Sequence, residues 1–173
     1  MRVSPDGAVS RPAWWAGSVL LVCAAVACRE PQVQGFPLEI NGQAIAIARG
    51  ISRDSVTQAL RRVFKEEPTA TGSADRIQYD AQLVPDQAPV SLVFEFDTSG
   101  SLTHVILDGY MEQQNPPVRT LVAWLDAHAG KATVTGTSPQ TEMVWSYGGW
   151  TFTHTAGGDG QDATYAMRID PGP

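Results

Sequence analysis

The sequence predicts an α+β fold: two tandem helix–β–β–β units whose strands form one antiparallel sheet, covered by helices on one face. Three observations carry this. Apolar residues recur at helical spacing in two stretches, "SRDSVTQALRRVFKEE" and the run after Asn115-Pro116-Pro117. Each stretch is followed by a loop rich in Thr, Gly and Ser. After each loop come alternating apolar segments broken by glycine turns, the pattern of antiparallel hairpins. The repeat lies in element order and loop composition rather than in residue identity. An amphipathic sheet with helices on its apolar face is the natural layering of such units.

The elements follow in chain order. "LEINGQAIAIA" (Leu38 to Ala48) places two apolar-alternating arms around Asn41-Gly42, a favoured type I′ turn because both positions need positive φ. In the first helix Val56, Leu60, Val63 and Phe64 share a stripe, Ser52 is the N-cap, and Asp54 suits the positive end of the helix dipole. A strand is predicted around "RIQYDAQLV", then a hairpin over "VSLVFEFDTSGSLTHVIL" with its turn at Gly100. In that hairpin Leu92, Phe94 and Phe96 share a face, and Glu95 and Asp97 take the solvent side. The second helix has Asn115 as cap, proline in its first turn where a missing N–H does no harm, a stripe of Val118, Leu121, Val122, Leu125 and Ala129, and Gly130 as its stop. "KATVTGTSPQ" reads as a loop, and "EMVWSY", "WTFTHT" and "TYAMRI" read as three strands.

The first 27 residues read as a targeting segment. Ala13 to Ala27 is an uncharged, mostly apolar run of about fifteen residues, shorter than the roughly 20 a transmembrane helix needs. Arg2 and Arg11 precede it and small residues end it, as in a secretory signal. Ala25-Val26-Ala27 fits ordinary A-x-A cleavage, which leaves Cys28 as the first mature residue. Cleavage removes Cys23, so the exported chain keeps a single cysteine at the cut itself, with no partner for an internal disulfide. The domain map is then residues 1–27 signal peptide, 28–37 tether ("EPQVQGFP" from Glu30 is poor in apolar residues), and units 38–112 and 113–173 sharing one domain.

"AVAC" (Ala25 to Cys28) resembles the lipobox of bacterial lipoproteins, with Ala25 where Leu is usual. The resemblance implies that the Cys28 thiol takes a diacylglyceryl group and its amine a further acyl chain such as palmitate; more than one chain anchors stably. Arg29, rather than Asp, after the cysteine implies the outer membrane, with the domain facing the periplasm. Gly50, Ile51, Ser52 and Val56, followed by Phe96, Asp97, Gly100, Leu102 and Val105, resemble the BamE/SmpA-type outer-membrane lipoprotein module. The match covers about residues 48–107; where that module has Leu-Gly-x-Pro after the helix, this chain has Arg62-Val63-Phe64-Lys65. Two tandem units also look like the β-lactamase-inhibitor-protein arrangement. Both resemblances imply protein binding without catalytic residues.

Composition and motifs narrow the chemistry. Without residues 1–27 the 173-residue chain keeps 146 residues, ten basic and seventeen acidic, net −7. An acidic chain with no basic run argues against nucleic acid and against electrostatic membrane binding. No G-x-S-x-G or P-loop occurs, so no catalytic residues and no cofactor are assigned. "GGDGQD" (Gly157 to Asp162) matches one calcium-repeat unit, but with no neighbouring copy to complete a site it reads as a glycine-rich hairpin turn, placed as Asp97-Thr98-Ser99-Gly100 is in the first unit. His104, His128 and His154 lack metal-ligand spacing, so no metal site is assigned. Glu66-Glu67 reads as exposed charge at a helix end.

In "VWSYGGWTFTH" a turn at Gly148-Gly149 pairs Tyr147 with Trp150 and Trp145 with Phe152, all four on one face. Such a ladder is either the core side of a sheet or an exposed platform for a partner, where Trp and Tyr are favoured anchors. The functional expectation is a non-enzymatic envelope lipoprotein that binds another envelope or periplasmic protein in assembly, scaffolding or inhibition. The alternative is a periplasmic enzyme or small-ligand binder with a cleft between the units, using His104 or His154 with a carboxylate.

Overall fold

The computed structural model describes residues 35–64, 73, 75–110, 115–137, 139–158 and 164–172, all within one compact unit spanning Gln32–Pro173. The signal segment, Cys28, most of the tether, Glu66-Glu67 and most of "GGDGQD" lie outside the described residues. Nine strands and two helices are described: β1 (Phe36–Ile40), β2 (Gln43–Ile47), α1 (Arg53–Phe64), β3 (Arg76–Ala81), β4 (Val90–Phe96), β5 (Leu102–Tyr110), α2 (Pro116–His128), β6 (Thr133–Thr137), β7 (Gln140–Tyr147), β8 (Trp150–Gly157) and β9 (Thr164–Pro171). Seven strands make one antiparallel sheet in the order β3-β4-β5-β9-β8-β7-β6, and β1 and β2 pair only with each other.

This architecture corrects the predicted fold class. The described chain is mainly β, and it is not two tandem helix–β–β–β units. The second half supplies four strands, because "TVTGT", read as a loop, is strand β6. Its β-branched residues suit a strand. Its polarity reads as a loop because β6 is an edge strand with all five residues exposed. The last strand then pairs with both β8 and β5, which merges the halves into a single sheet.

Local signals act as expected elsewhere. Asn41 and Gly42 have φ of 52° and 72°, and Gly148 and Gly149 have 59° and 77°, as tight hairpins require. Ser52 caps α1, its Oγ accepting from the Ser55 N–H at 3.2 Å. Asn115 caps α2, its Oδ1 accepting from the Val118 N–H at 3.4 Å. Its Nδ2 also donates to the Tyr165 carbonyl at 3.3 Å, so one fully buried side chain ties helix to sheet.

One face of the sheet is apolar and covered. Leu92, Phe94, Val105, Leu107, Met167, Ile169 and Phe152 are buried there. Helix α2 brings Val118, Leu121 and Leu125 onto this core, and its Trp124 meets Tyr147 edge-on at 4.9 Å. Helix α1 reaches the same face, where Phe64 stacks on Tyr79 at 5.7 Å. The β1–β2 hairpin inserts Phe36 edge-on against both Trp150 (5.8 Å) and Phe152 (5.0 Å). Each such fully buried side chain contributes about 2–3 kcal/mol relative to exposure.

The β4–β5 turn is held by one carboxylate. Asp97 accepts from the Ser99 hydroxyl (2.6 Å) and from the N–H groups of Ser99 (2.8 Å) and Ser101 (3.0 Å). The Ser99 hydroxyl foremost, then the Ser101 N–H, lowers the Asp97 pKa below the usual carboxylate range. A depressed folded pKa stabilises above the unfolded value and is lost as pH falls through the folded one. Asp97→Asn is therefore expected to lower the melting temperature at pH 7. Its deficit against wild type should narrow as pH drops below about 4, the unperturbed Asp value. A series of thermal melts from pH 7 to acid checks this; a deficit independent of pH would contradict it. Asn115→Ala removes the cap of α2 and leaves the Tyr165 carbonyl without its donor, an expected loss of about 2–3 kcal/mol in urea unfolding.

Candidate functional site

The opposite face of the sheet is mainly polar, with Val93 buried on it, and among the described residues both helices and the β1–β2 hairpin pack on the apolar side. Strand alternation and register lay its side chains out in rows. One row runs Arg76, Glu95, His104, Asp170, Thr151 and Ser146 across six strands. The next runs Val93, Ile106, Arg168, Thr153, Val144 and Thr133. A third carries Asp80, Ser91, Asp108, Ala166, Thr155, Glu142 and Thr135.

The first two rows hold a chain of charges at the centre of the sheet. His104 Nε2 lies 3.4 Å from Asp170, and its Nδ1 lies 3.8 Å from Glu95 and 3.0 Å from the Thr103 hydroxyl. Arg168 donates from Nε to both Asp170 oxygens at 2.9 and 2.8 Å, and that hydrogen bond raises the Arg168 pKa. The register shifts between Glu95 and Phe96, leaving Thr103 as an extra residue opposite the turn end of β4. Such a bulge re-aims neighbouring side chains. Here it leaves His104 directly across from Glu95, and the Thr103 hydroxyl donates to the Glu95 carbonyl at 3.1 Å.

Two hollows flank this centre. One, of about 420 Å³, is lined by Ser73, Asp75, Arg76, Glu95, Thr103 and His104. In it the Ser73 hydroxyl donates to Asp75 and lowers the Asp75 pKa. The other, of about 580 Å³, lies near the β6–β7 end and is lined by threonines with Gln140 and Glu142. Carboxylates outnumber cations across the rows: Asp80, Glu95, Asp108, Glu142 and Asp170 against Arg76 and Arg168.

The predicted aromatic pairing is present, with Tyr147 opposite Trp150 and Trp145 opposite Phe152. It takes the core alternative. Trp145, Trp150 and Phe152 are buried, Tyr147 is half-buried against Trp124, and the Trp145 indole N–H donates to Asp126 of α2 at 3.1 Å. The partner platform proposed for these four residues is thereby corrected, because α2 and Phe36 occupy the ladder. His154 is buried on the core side beside Tyr165, and His128 stacks on Trp124 at 4.4 Å, so neither joins His104. Among the described residues no group of three or more His, Cys, Asp and Glu is placed to hold a metal ion. Sequence reasoning missed Arg168 and Asp170. Alternation in "TYAMRID" puts both on the polar side of β9, yet only the β5–β9 register brings them to His104.

The charged row is partly exposed, with side-chain exposures from 27% to 58%, so its pairs contribute little to folding. Asp170→Asn is expected to change the unfolding free energy by about 1 kcal/mol or less in urea titration. A much larger loss would show that the row serves the fold rather than the surface.

No family model and no curated protein matches the chain. Among solved structures it is similar to a DUF4309 family protein (YjgB) from Bacillus subtilis, with a TM-score of 0.40 and 12% identity over 69% of this chain and 80% of that one.

Proposed function

We propose that this is a non-enzymatic, lipid-anchored lipoprotein of the bacterial envelope whose open sheet face binds another envelope or periplasmic protein. The observation that carries the reading is the mainly polar face, which neither helix covers among the described residues, with the Glu95–His104–Asp170–Arg168 chain at its centre. Strands held in a seven-stranded sheet are preorganised, so binding on them loses little conformational entropy. Partly solvated charges of this kind act in orientation and encounter rate more than in raw affinity. The acidic excess selects a partner with a basic patch. Anchoring rests on the sequence: the small residues before Cys28, the lone cysteine left at the cut, and Arg29 favouring the outer membrane with the domain in the periplasm.

A second reading, a periplasmic enzyme or small-ligand binder, draws on one observation. The Thr103 hydroxyl, His104 and Asp170 form a hydroxyl–imidazole–carboxylate chain beside the 420 Å³ hollow. The Thr103 hydroxyl, however, donates to the Glu95 carbonyl, which orients it away from nucleophilic work. The hollow also lies within the one sheet rather than in a cleft between two units.

In cells fed radiolabelled palmitate, wild type is expected to label and Cys28→Ala not to; equal labelling would refute the anchor. Photocrosslinking from Thr153 on the open face is expected to capture a protein that crosslinking from Ala123 on α2 does not. Glu95→Lys combined with Asp170→Lys should weaken that capture tenfold or more, about 1.4 kcal/mol. Capture unaffected by the charge reversal would remove the open face from the proposal.

A further inference from the structure

We propose that β6 is a self-pairing edge through which two copies of this chain join antiparallel, continuing the sheet from one molecule into the next. The sheet has two outer strands, and they differ in a way that matters. Edge β3 carries Arg76 and Asp80, the charged side chains that ordinarily keep an edge from pairing with other chains. Edge β6 reads Thr-Val-Thr-Gly-Thr, with no charge and no proline, and all five residues are exposed. Its backbone groups on the side away from β7 form an open row of donors and acceptors. Val134 is the one large apolar side chain exposed among the described residues, at 62%. A whole chain of net charge −6 repels its own copies over most of its surface, and a neutral strand is where that repulsion is least.

The occupant is argued from self-complementarity. Antiparallel pairing about a two-fold axis at Thr135 sets Thr135 against Thr135 of the second copy, Thr133 against its Thr137, and Val134 against its Gly136. Thr–Thr pairs opposite each other are favourable in sheets. Gly136 is glycine for a local reason: φ is 84° and a Cβ would strike the Gln140 carbonyl at 2.6 Å. That missing Cβ would point at the β7 backbone, so Gly136 adds no side chain of its own where Val134 of the other copy stands. A charged or bulky partner strand would lack this fit. Strand addition of this kind draws affinity from main-chain hydrogen bonds and specificity from alternate side chains. Two copies tethered to one membrane would meet at a raised effective concentration. The pairing leaves the charged row of the open face uncovered, so it stands apart from the partner proposed above.

The test uses the full chain in detergent. Mild oxidation of the Thr135→Cys variant should give a covalent dimer on a non-reducing gel, because directly opposed strand residues lie within disulfide reach. Wild type and Thr153→Cys, run alongside, control for Cys23, Cys28 and random collision. Sedimentation should show a wild-type dimer that Thr135→Lys weakens tenfold or more by placing like charges opposite each other, with the thermal melt unchanged. The proposal is overturned if Thr135→Cys crosslinks no faster than Thr153→Cys. It is equally overturned if the wild-type chain stays monomeric, or if β6 is occupied by a strand of a different protein.

Discussion

The pairing of β5 with β9 is the constraint on which the rest of the structure depends. It joins a strand from the first half of the chain to the last strand of the second, from Val105↔Ile169 to Tyr110↔Thr164. Without it the molecule would be two small sheets, each with another raw edge. With it, Val105, Leu107, Met167 and Ile169 become the centre of one core, all fully buried. Closing such a distant contact loses chain entropy before it returns any burial, which makes it a slow and late step in folding by general expectation. The polar face depends on the same pairing, because His104 belongs to β5 while Asp170 and Arg168 belong to β9.

The two faces of the sheet divide the work. The covered face takes nearly all the large apolar side chains, including the aromatic ladder, and is sealed by α2 and by Phe36 from the β1–β2 hairpin. Aromatic side chains placed there stabilise by area and by edge-to-face geometry, and they are lost as contacts for anything outside. The open face is therefore left mainly with hydroxyls and charges, around the aliphatic Val93, Ile106 and Val144. Its ion pairs are solvated enough to be exchanged for a partner's groups without endangering the fold.

Much of the local structure was legible in the sequence. Asn41-Gly42 and Gly148-Gly149 marked tight hairpins because few other residues accept positive φ there. Ser52 and Asn115 marked helix starts because their side chains satisfy free N–H groups. What failed had different physical causes. Strand β6 has no buried face, so its composition carried no apolar alternation, only the β-branched preference of its threonines. The strand order depends on β5 meeting β9, and no short-range pattern encodes which distant strands pair. The charged row was invisible for the same reason: its members come from β4, β5 and β9. The aromatic ladder was half legible, since alternation placed its four rings together and only α2 and Phe36 decide that they face inward.

Phe36 has a mechanical consequence. It is the first residue of the first strand, it is 1% exposed, and its ring is held between Trp150 and Phe152. The hydrogen-bonded ladder of β1 runs only to β2, so the hairpin is fastened to the sheet by side chains rather than by backbone. Tension applied at Gly35 would pass through Phe36 directly to the centre of the core. Its first point of yield would be the aromatic clasp, releasing the hairpin as one piece while the seven-stranded sheet remained intact.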